Sequence, residues 1–236
     1  MLKPEVSIVL SCYNEGPTLE NSIQRVVSIL KKQRWSWEII FVEDKSTDDT
    51  KQTIDKICND PKNCNVIYHS KNQGRGKSVS DGIKAAKGEI CGYIDVDLEV
   101  SEKYIPLFIQ EVEKGNELVV GKRFYEGGLK HLTRVIVSRV YAIALKKIID
   151  LPIDDTEAGY KFFNRIKILP IISKVKSKHW FWDTEICAQA HRKGLKVTQL
   201  PVLFIRRVDK KSTVRLIPDT IDYLKNLIRL RAETPK

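Results

Sequence analysis

Gly92-Tyr93-Ile94-Asp95-Val96-Asp97-Leu98-Glu99 is a short apolar run that ends in carboxylates. The run reads as a buried strand. Residues i and i+2 of an extended chain point to one side, so Asp95 and Asp97 share a face. At the strand's end the chain turns, and both can reach one place. Packed like charges destabilise each other unless a cation or a shared proton compensates. Oxygen ligands alone suit a hard ion such as Mg2+ or Mn2+, which bridges a few carboxylates and a substrate phosphate. The competing reading is an acidic turn that faces water, and the surrounding residues decide between the two.

Upstream, Val6 to Leu10, Glu38 to Val42, Val66 to His69 and Glu89 to Ile94 are apolar runs of strand length. Helical patterns separate them. Thr18 to Lys32 carries Leu19, Ile23, Val26, Val27 and Leu30 on one face. Ser46-Thr47-Asp48-Asp49 caps a helix through Ile57, and a helix from Lys77 to Ala86 follows a glycine-bearing loop. Continuous apolar strands alternating with helices predict an α/β fold, a mostly parallel doubly wound sheet with helices on both faces. Such sheets bind ligands at the carboxyl ends of their strands. Tyr13-Asn14-Glu15, Glu43-Asp44, and Asp95 with Asp97 all fall there. Three strands delivering polar groups to one edge favours a site over a solvated turn.

The second half is less regular. Leu118 to Gly121 reads as a strand, and Leu129 to Ile149 as an apolar helix interspersed with Arg134, Arg139, Lys146 and Lys147. That helix either packs on the sheet or lies on a membrane surface. Asp154 to Phe163 reads as a loop entering a strand, and Asp183 to Arg192 as a helix stopped by Gly194. Val197 to Ile205 reads as a strand placed near an edge by Pro201. A helix follows from Pro218 to Leu230, with Ile221, Leu224, Leu227 and Ile228 on one face.

The chain has 236 residues, with 41 Lys and Arg against 30 Asp and Glu, a net charge of +11. That excess implies anionic partners or serves solubility. No nucleic-acid-binding motif accompanies it. The glycine fingerprint of dinucleotide oxidoreductases is absent after the first strand, and a regulatory nucleotide-binding module would not need the acidic pair. Five cysteines, at 12, 58, 64, 91 and 187, show no zinc-finger spacing; Cys58 and Cys64 are the pair that could meet, and the reduced state is the expectation. Met1 to Val9 lacks a signal-peptide layout, and no stretch reaches the ~20 apolar residues of a membrane span. Membrane contact is therefore expected to be peripheral or through an anchor subunit.

Five segments in order resemble the inverting family 2 glycosyltransferases of GT-A fold. They are Ser11-Cys12-Tyr13-Asn14-Glu15, Val42-Glu43-Asp44-Lys45-Ser46-Thr47-Asp48, Asn72-Gln73-Gly74-Arg75-Gly76-Lys77, Asp95-Val96-Asp97-Leu98-Glu99 and Gly121-Lys122-Arg123. Asp155-Thr156-Glu157-Ala158-Gly159-Tyr160-Lys161-Phe162-Phe163 and Trp182-Asp183-Thr184-Glu185 are similar to blocks of the dolichyl-phosphate mannosyl- and glucosyltransferases. Arg206-Arg207 with Ser212-Thr213 resembles their acceptor loop. Three positions depart from the pattern: Ser11 for Pro, Glu43 for Asp, and Thr213 for Lys, which leaves Lys210 or Lys211 as substitutes.

The resemblance implies one glycosyltransferase domain over 1–236, with a nucleotide-sugar half at 1–125 and an acceptor half at 126–236. It implies transfer from a nucleotide diphosphate sugar to a polyprenyl or dolichyl phosphate at the cytoplasmic face of a membrane. It places Ser11, Tyr13, Glu15, Val42, Asp44, Lys77, Asp95 and Val96 around the nucleotide sugar, and Asp97 and Glu99 on Mg2+ or Mn2+. Asp95, Asp97, Arg123 and Arg207 are its catalytic set. Arg134, Asp155, Asp183, Glu185, Arg206, Lys210, Lys211 and Ser212 lie on its acceptor side. A phosphate acceptor is already ionised and needs no base. A hydroxyl acceptor, the alternative, needs a carboxylate, for which Asp155, Asp183 and Glu185 are the candidates. Asp183 and Glu185 read equally as first-turn acids of a helix.

Overall fold

The computed structural model describes residues 3–59, 63–125, 145–207 and 216–233. The first half alternates strictly: β1 (Val6–Cys12), α1 (Gly16–Leu30), β2 (Trp37–Glu43), α2 (Thr50–Ile57), β3 (Cys64–Tyr68), α3 (Arg75–Ala85) and β4 (Ile90–Ile94). A 3-10 turn (Glu102–Tyr104), α4 (Ile105–Glu113) and β5 (Leu118–Tyr125) follow. Beyond them come β6 (Tyr160–Asn164), α5 (Arg165–Ile172), α6 (Trp182–Arg192), β7 (Val197–Phe204) and α7 (Leu216–Ala232).

One seven-stranded sheet joins both halves in the order β3-β2-β1-β4-β6-β5-β7. Neighbours run parallel except where β6 lies antiparallel to both β4 and β5. β6 alone is therefore reversed. Its first residue, Tyr160, pairs with Ile94, the last residue of β4. The loop before β6 thus reaches the same edge as the loops after the parallel strands. β7 is an edge strand, as Pro201 predicts.

Alternate strand residues feed two cores. Ile8, Leu10, Ile39 and Phe41 join α1 and α4 residues such as Leu19, Val26 and Phe108 on one face. Val9, Ile40 and Val42 join Val79 and Ile83 of α3, Ile186 of α6 and Leu227 of α7 on the other. Helices therefore cover both faces, which is why the strands read as unbroken apolar runs.

Three expectations change. β5 runs on to Tyr125, because all eight of its residues pair with β7. Cys58 and Cys64 form a disulfide rather than staying reduced, their Cα atoms lying 5.5 Å apart, within bridging reach. The apolar face expected for α7 is divided: Leu227 and Leu230 are buried, whereas Ile221, Leu224 and Ile228 face solvent. The expected helix Leu129 to Ile149 lies mostly outside the described residues. Its end, 145–149, is helical, with Leu145 and Ile149 in the core.

Candidate active site

Three loops leave the carboxyl ends of β1, β2 and β4. Each contains a non-glycine residue at positive φ: Asn14 at 56°, Lys45 at 64° and Leu98 at 52°. Such backbone costs free energy and persists where surrounding contacts over-determine it. The first two loops are laced together. Asn14 Oδ1 accepts from Thr47 N at 2.8 Å, Ser46 Oγ from Asn14 N at 3.1 Å, and Thr50 Oγ1 from Glu15 N at 2.7 Å. Asp48 Oδ2 accepts from Gly16 N at 3.1 Å. Burial pushes the Asp48 carboxyl up, but the bonds from Thr50 and Gly16 outweigh it and hold the group below its ordinary value. This leaves Tyr13 exposed and Ser11 and Glu15 half-buried at the edge.

Other donor-side candidates turn inward. Val42 and Val96 are buried in the two cores, where their side chains serve packing. Asp44 is 1% exposed and its oxygens already accept from Gln73 N and Gly74 N, both at 2.8 Å, and meet His69 Nδ1 at 2.7 Å. Both of its oxygens thus hold the glycine loop. Lys77 is ion-paired with Asp81 one turn along α3.

The acidic turn is organised by Arg75, the first residue of α3. Its guanidinium donates to Asp95 Oδ1 from Nε at 3.1 Å and Nη2 at 2.8 Å, and also contacts Tyr93 Oη. Nη1 pairs with Asp183. The group is stacked against the rings of Tyr93 and Trp180, at 5.0 and 5.1 Å. Asp183 in turn pairs with Lys161, which is fully buried and donates to Ala158 O at 2.5 Å. Lys161, Asp183, Arg75 and Asp95 thus form a chain of alternating charge from the sheet interior to the cleft. Gly159 permits it, because a Cβ there would overlap the Asp95 carboxylate and the Arg75 guanidinium. Burial pushes the Asp95 carboxyl up, Arg75 draws it down, and Asp97 and Asp183 push it up again, so the net value lies above the ordinary one.

On the other side of the turn, Glu99 O accepts from Ile205 N at 2.8 Å and Glu99 Oε1 from Arg207 N at 2.9 Å. The turn is thereby tied to the exit of β7, where Arg206 is exposed and Arg207 half-buried. Arg123 grips Asp155 with a bidentate pair at 2.8 and 2.9 Å. Burial raises the Asp155 carboxyl, but Arg123 overrides it and leaves it below the usual range. Glu157 stands 3.7 Å from Arg123 with its side chain 45% exposed. Glu185 points away from the cleft: fully buried, it accepts from Lys176 N at 3.2 Å, Ser177 N at 2.8 Å and Arg229 Nη2 at 3.0 Å. It is a structural acid of the α6–α7 contact, not an acceptor-side group. Arg134, Lys210, Lys211 and Ser212 lie outside the described residues.

Among the described residues, no group of three or more His, Cys, Asp or Glu could hold a metal ion unaided. Ions of the Mg2+ type usually take one or two carboxylates and complete their shell with water and substrate phosphate. Half-buried Asp97, which stands at the turn after β4 and whose Oδ1 accepts a 3.4 Å bond from Glu99 N, has the oxygen chemistry of that kind of shared site. Glu99 fits in part, since one of its oxygens is engaged by Arg207 N.

Residues 7–168 match the family model described as glycosyl transferase family 2. The chain belongs to glycosyltransferase family 2. This glycosyltransferase is 27% identical over 230 residues to glycosyltransferase AglD of Haloferax volcanii, covering 95% of the chain but 36% of that protein. It is 28% identical to the dolichyl-phosphate beta-glucosyltransferase of Saccharomyces cerevisiae, covering 96% of the chain and 74% of the yeast protein. Its length is thus about a third of the archaeal relative's. Among solved structures, glucosyl-3-phosphoglycerate synthase of Mycobacterium tuberculosis with UDP superposes with a TM-score of 0.72 at 19% identity, over 99% of this chain and 82% of that one. The same synthase with Mn2+, UDP-glucose and phosphoglyceric acid gives 0.69 at 20% identity, over 99% and 81%. The fold of the glycosyltransferase is accordingly GT-A.

Proposed function

We propose that the enzyme transfers a hexose, with inversion, from a nucleotide diphosphate sugar of the UDP-glucose or GDP-mannose class to a polyprenyl or dolichyl phosphate. The observation that carries this reading is the state of the acids. Asp155 is locked to Arg123, Asp183 to Lys161 and Arg75, and Glu185 to Arg229. None of the three is placed to take a proton from a hydroxyl, so an acceptor that arrives ionised suits the cleft. The name of the yeast relative supports a lipid phosphate as that acceptor.

In this reading a phosphate oxygen of the acceptor bonds to the anomeric carbon as the bond from that carbon to the diphosphate breaks. The electron pair leaves on the diphosphate, and no proton moves. Asp95, held by Arg75, orients the sugar. Arg207, at the exit of β7, faces the phosphates, and Arg123, held by Asp155, adds positive charge to the cleft wall. Asp97, with Glu99 beside it, would hold Mg2+ or Mn2+. Bound there, such an ion neutralises charge growing on the leaving group.

We place the protein peripherally at a membrane, at its cytoplasmic face, held by its own surface or by an anchor subunit. Among the described residues no helix is long and apolar enough to cross a membrane. The α7 stripe Ile221, Leu224 and Ile228, 48%, 53% and 69% exposed, is an apolar surface such a contact can use, with exposed Asp222 beside exposed Lys225 and Arg231 making its charge mixed. The test is a panel of UDP- and GDP-sugars, each with and without polyprenyl phosphate, scored for lipid-linked sugar. Product with no donor on the panel, while a hydroxyl acceptor is glycosylated, would reverse the choice of acceptor.

A further inference from the structure

His69 lies just past β3, on no segment yet given a role, and is 8% exposed. Its backbone N–H donates to Glu43 O at 2.9 Å, which fixes the residue against the end of β2. Its ring spans two carboxylates on different elements. Nδ1 meets Asp44 Oδ1 at 2.7 Å, and Nε2 meets Asp81 Oδ2 of α3 at 3.1 Å. Lys77 pairs with the same Asp81 oxygen. Carboxylate oxygens accept hydrogen bonds, and a ring nitrogen that carries a proton donates to the carboxylate it faces. The imidazole lies between the two.

What Asp44 holds gives the bridge its consequence. Its Oδ1 and Oδ2 receive the N–H groups of Gln73 and Gly74. Gly74 has φ +96°, and a Cβ there would overlap Lys178 O and the ring of His179. The next residue is Arg75, which orients Asp95. We propose that His69 is a positioning residue for the donor side of the cleft. By bridging Asp44 and Asp81 it fixes the loop 72–76 and hence the placement of Arg75 and Asp95. The inference rests on the nucleotide-sugar reading for its effect on binding, and on the structure alone for its effect on the loop.

Two measurements on the full chain separate these. The first is hydrogen exchange at the amides of Gln73 and Gly74. The second is the affinity for UDP- and GDP-sugars by calorimetry, together with the KM for each substrate. His69→Ala is expected to speed exchange at the two amides about tenfold or more, while the amides of Leu10 and Phe41 stay protected. It is expected to weaken nucleotide-sugar binding by about tenfold and to leave the acceptor KM within about twofold. His69→Asn, whose amide can still donate to Asp44 but does not reach Asp81, should restore both in part. Asp81→Asn should act in the same direction but less, and it carries the test if His69→Ala fails to fold. Unchanged exchange at Gln73 and Gly74 overturns the proposal, as does a uniform rise across the core. Faster loop exchange with unaltered donor affinity overturns its functional half. If the wild-type protein binds no nucleotide sugar, the donor reading falls, and the exchange data still decide whether His69 holds the loop.

Discussion

Lys161→Met tests the buried charge chain directly. Lys161 is fully buried and Asp183 has 2% of its side chain exposed, so water screens little of their attraction. Methionine matches lysine closely in length, and the substitution removes charge rather than volume. Asp183 is then left with Arg75, which it shares with Asp95, and Ala158 O loses its donor. Breaking one partner of a buried pair costs about 3–5 kcal/mol. In a chain of this size that lowers Tm by roughly 10 °C. Asp183→Asn should cost a similar amount, because it leaves Lys161 and Arg75 facing each other. The double variant removes one charge of each sign and leaves the Arg75–Asp95 pair intact. It should be more stable than the sum of the single losses by about 2 kcal/mol. Urea unfolding of the four proteins gives the cycle. Single losses that add to within about 0.5 kcal/mol would mean that the two groups do not act as a pair, and the account of the cleft wall would fail with them.

Asp97→Asn should lower turnover by on the order of 10²-fold or more, and chelation of divalent ions should abolish wild-type activity; undiminished turnover in excess chelator refutes the shared-ion site. Glu157→Gln separates the acceptors: with a lipid phosphate, kcat is retained and the acceptor KM holds or falls as a like charge is removed. With a hydroxyl acceptor that uses Glu157 as base, kcat drops by about 10²-fold. Asp155 has a folded value below its unfolded one, so its contribution to stability is complete above about pH 4 and is lost as pH falls through the folded value. Asp155→Asn should therefore flatten the acid limb of a Tm-against-pH curve, and an unaltered acid limb would show that the Arg123 pair is not the cause. Ile221→Ser with Ile228→Ser should reduce sedimentation with anionic liposomes while leaving Tm within a few degrees, because both side chains are exposed; unchanged sedimentation would remove α7 from the membrane contact.

β1, β2 and β4 are legible because each is an unbroken apolar run buried on both faces, and the partly exposed edge strand β3 is legible from its place in the alternation. The edge where Tyr13, Glu43 and Asp95 gather follows from that pattern alone. The partners of the acids are not legible. Arg75 looks like a loop cation, and only the docking of α3 brings it between Asp95 and Asp183. Lys161 gave a signal, a lone lysine inside the apolar run Tyr160 to Phe163 that demands a buried acid, but spacing does not say that the acid is Asp183. Asp44 and Glu185 illustrate the converse. A carboxylate beside a cleft reads as a ligand group until its backbone donors are known, Gln73 and Gly74 for one, Lys176 and Ser177 for the other. The direction of β6 was equally hidden, since strand polarity depends on the route of the connection and not on the residues in the strand.

That one reversed strand decides what stands against the acidic turn. Residues 154–159 precede β6, whereas Asp95, which donates its N–H to Gly159 O at 2.9 Å, follows β4. The ladder from Ile94↔Tyr160 to Ile90↔Asn164 pins the register from within the sheet. A slip of one residue in that ladder would carry Gly159 off the Asp95 carboxylate and bring a side chain into its place. The wall of the cleft thus depends on the direction and register of five residues.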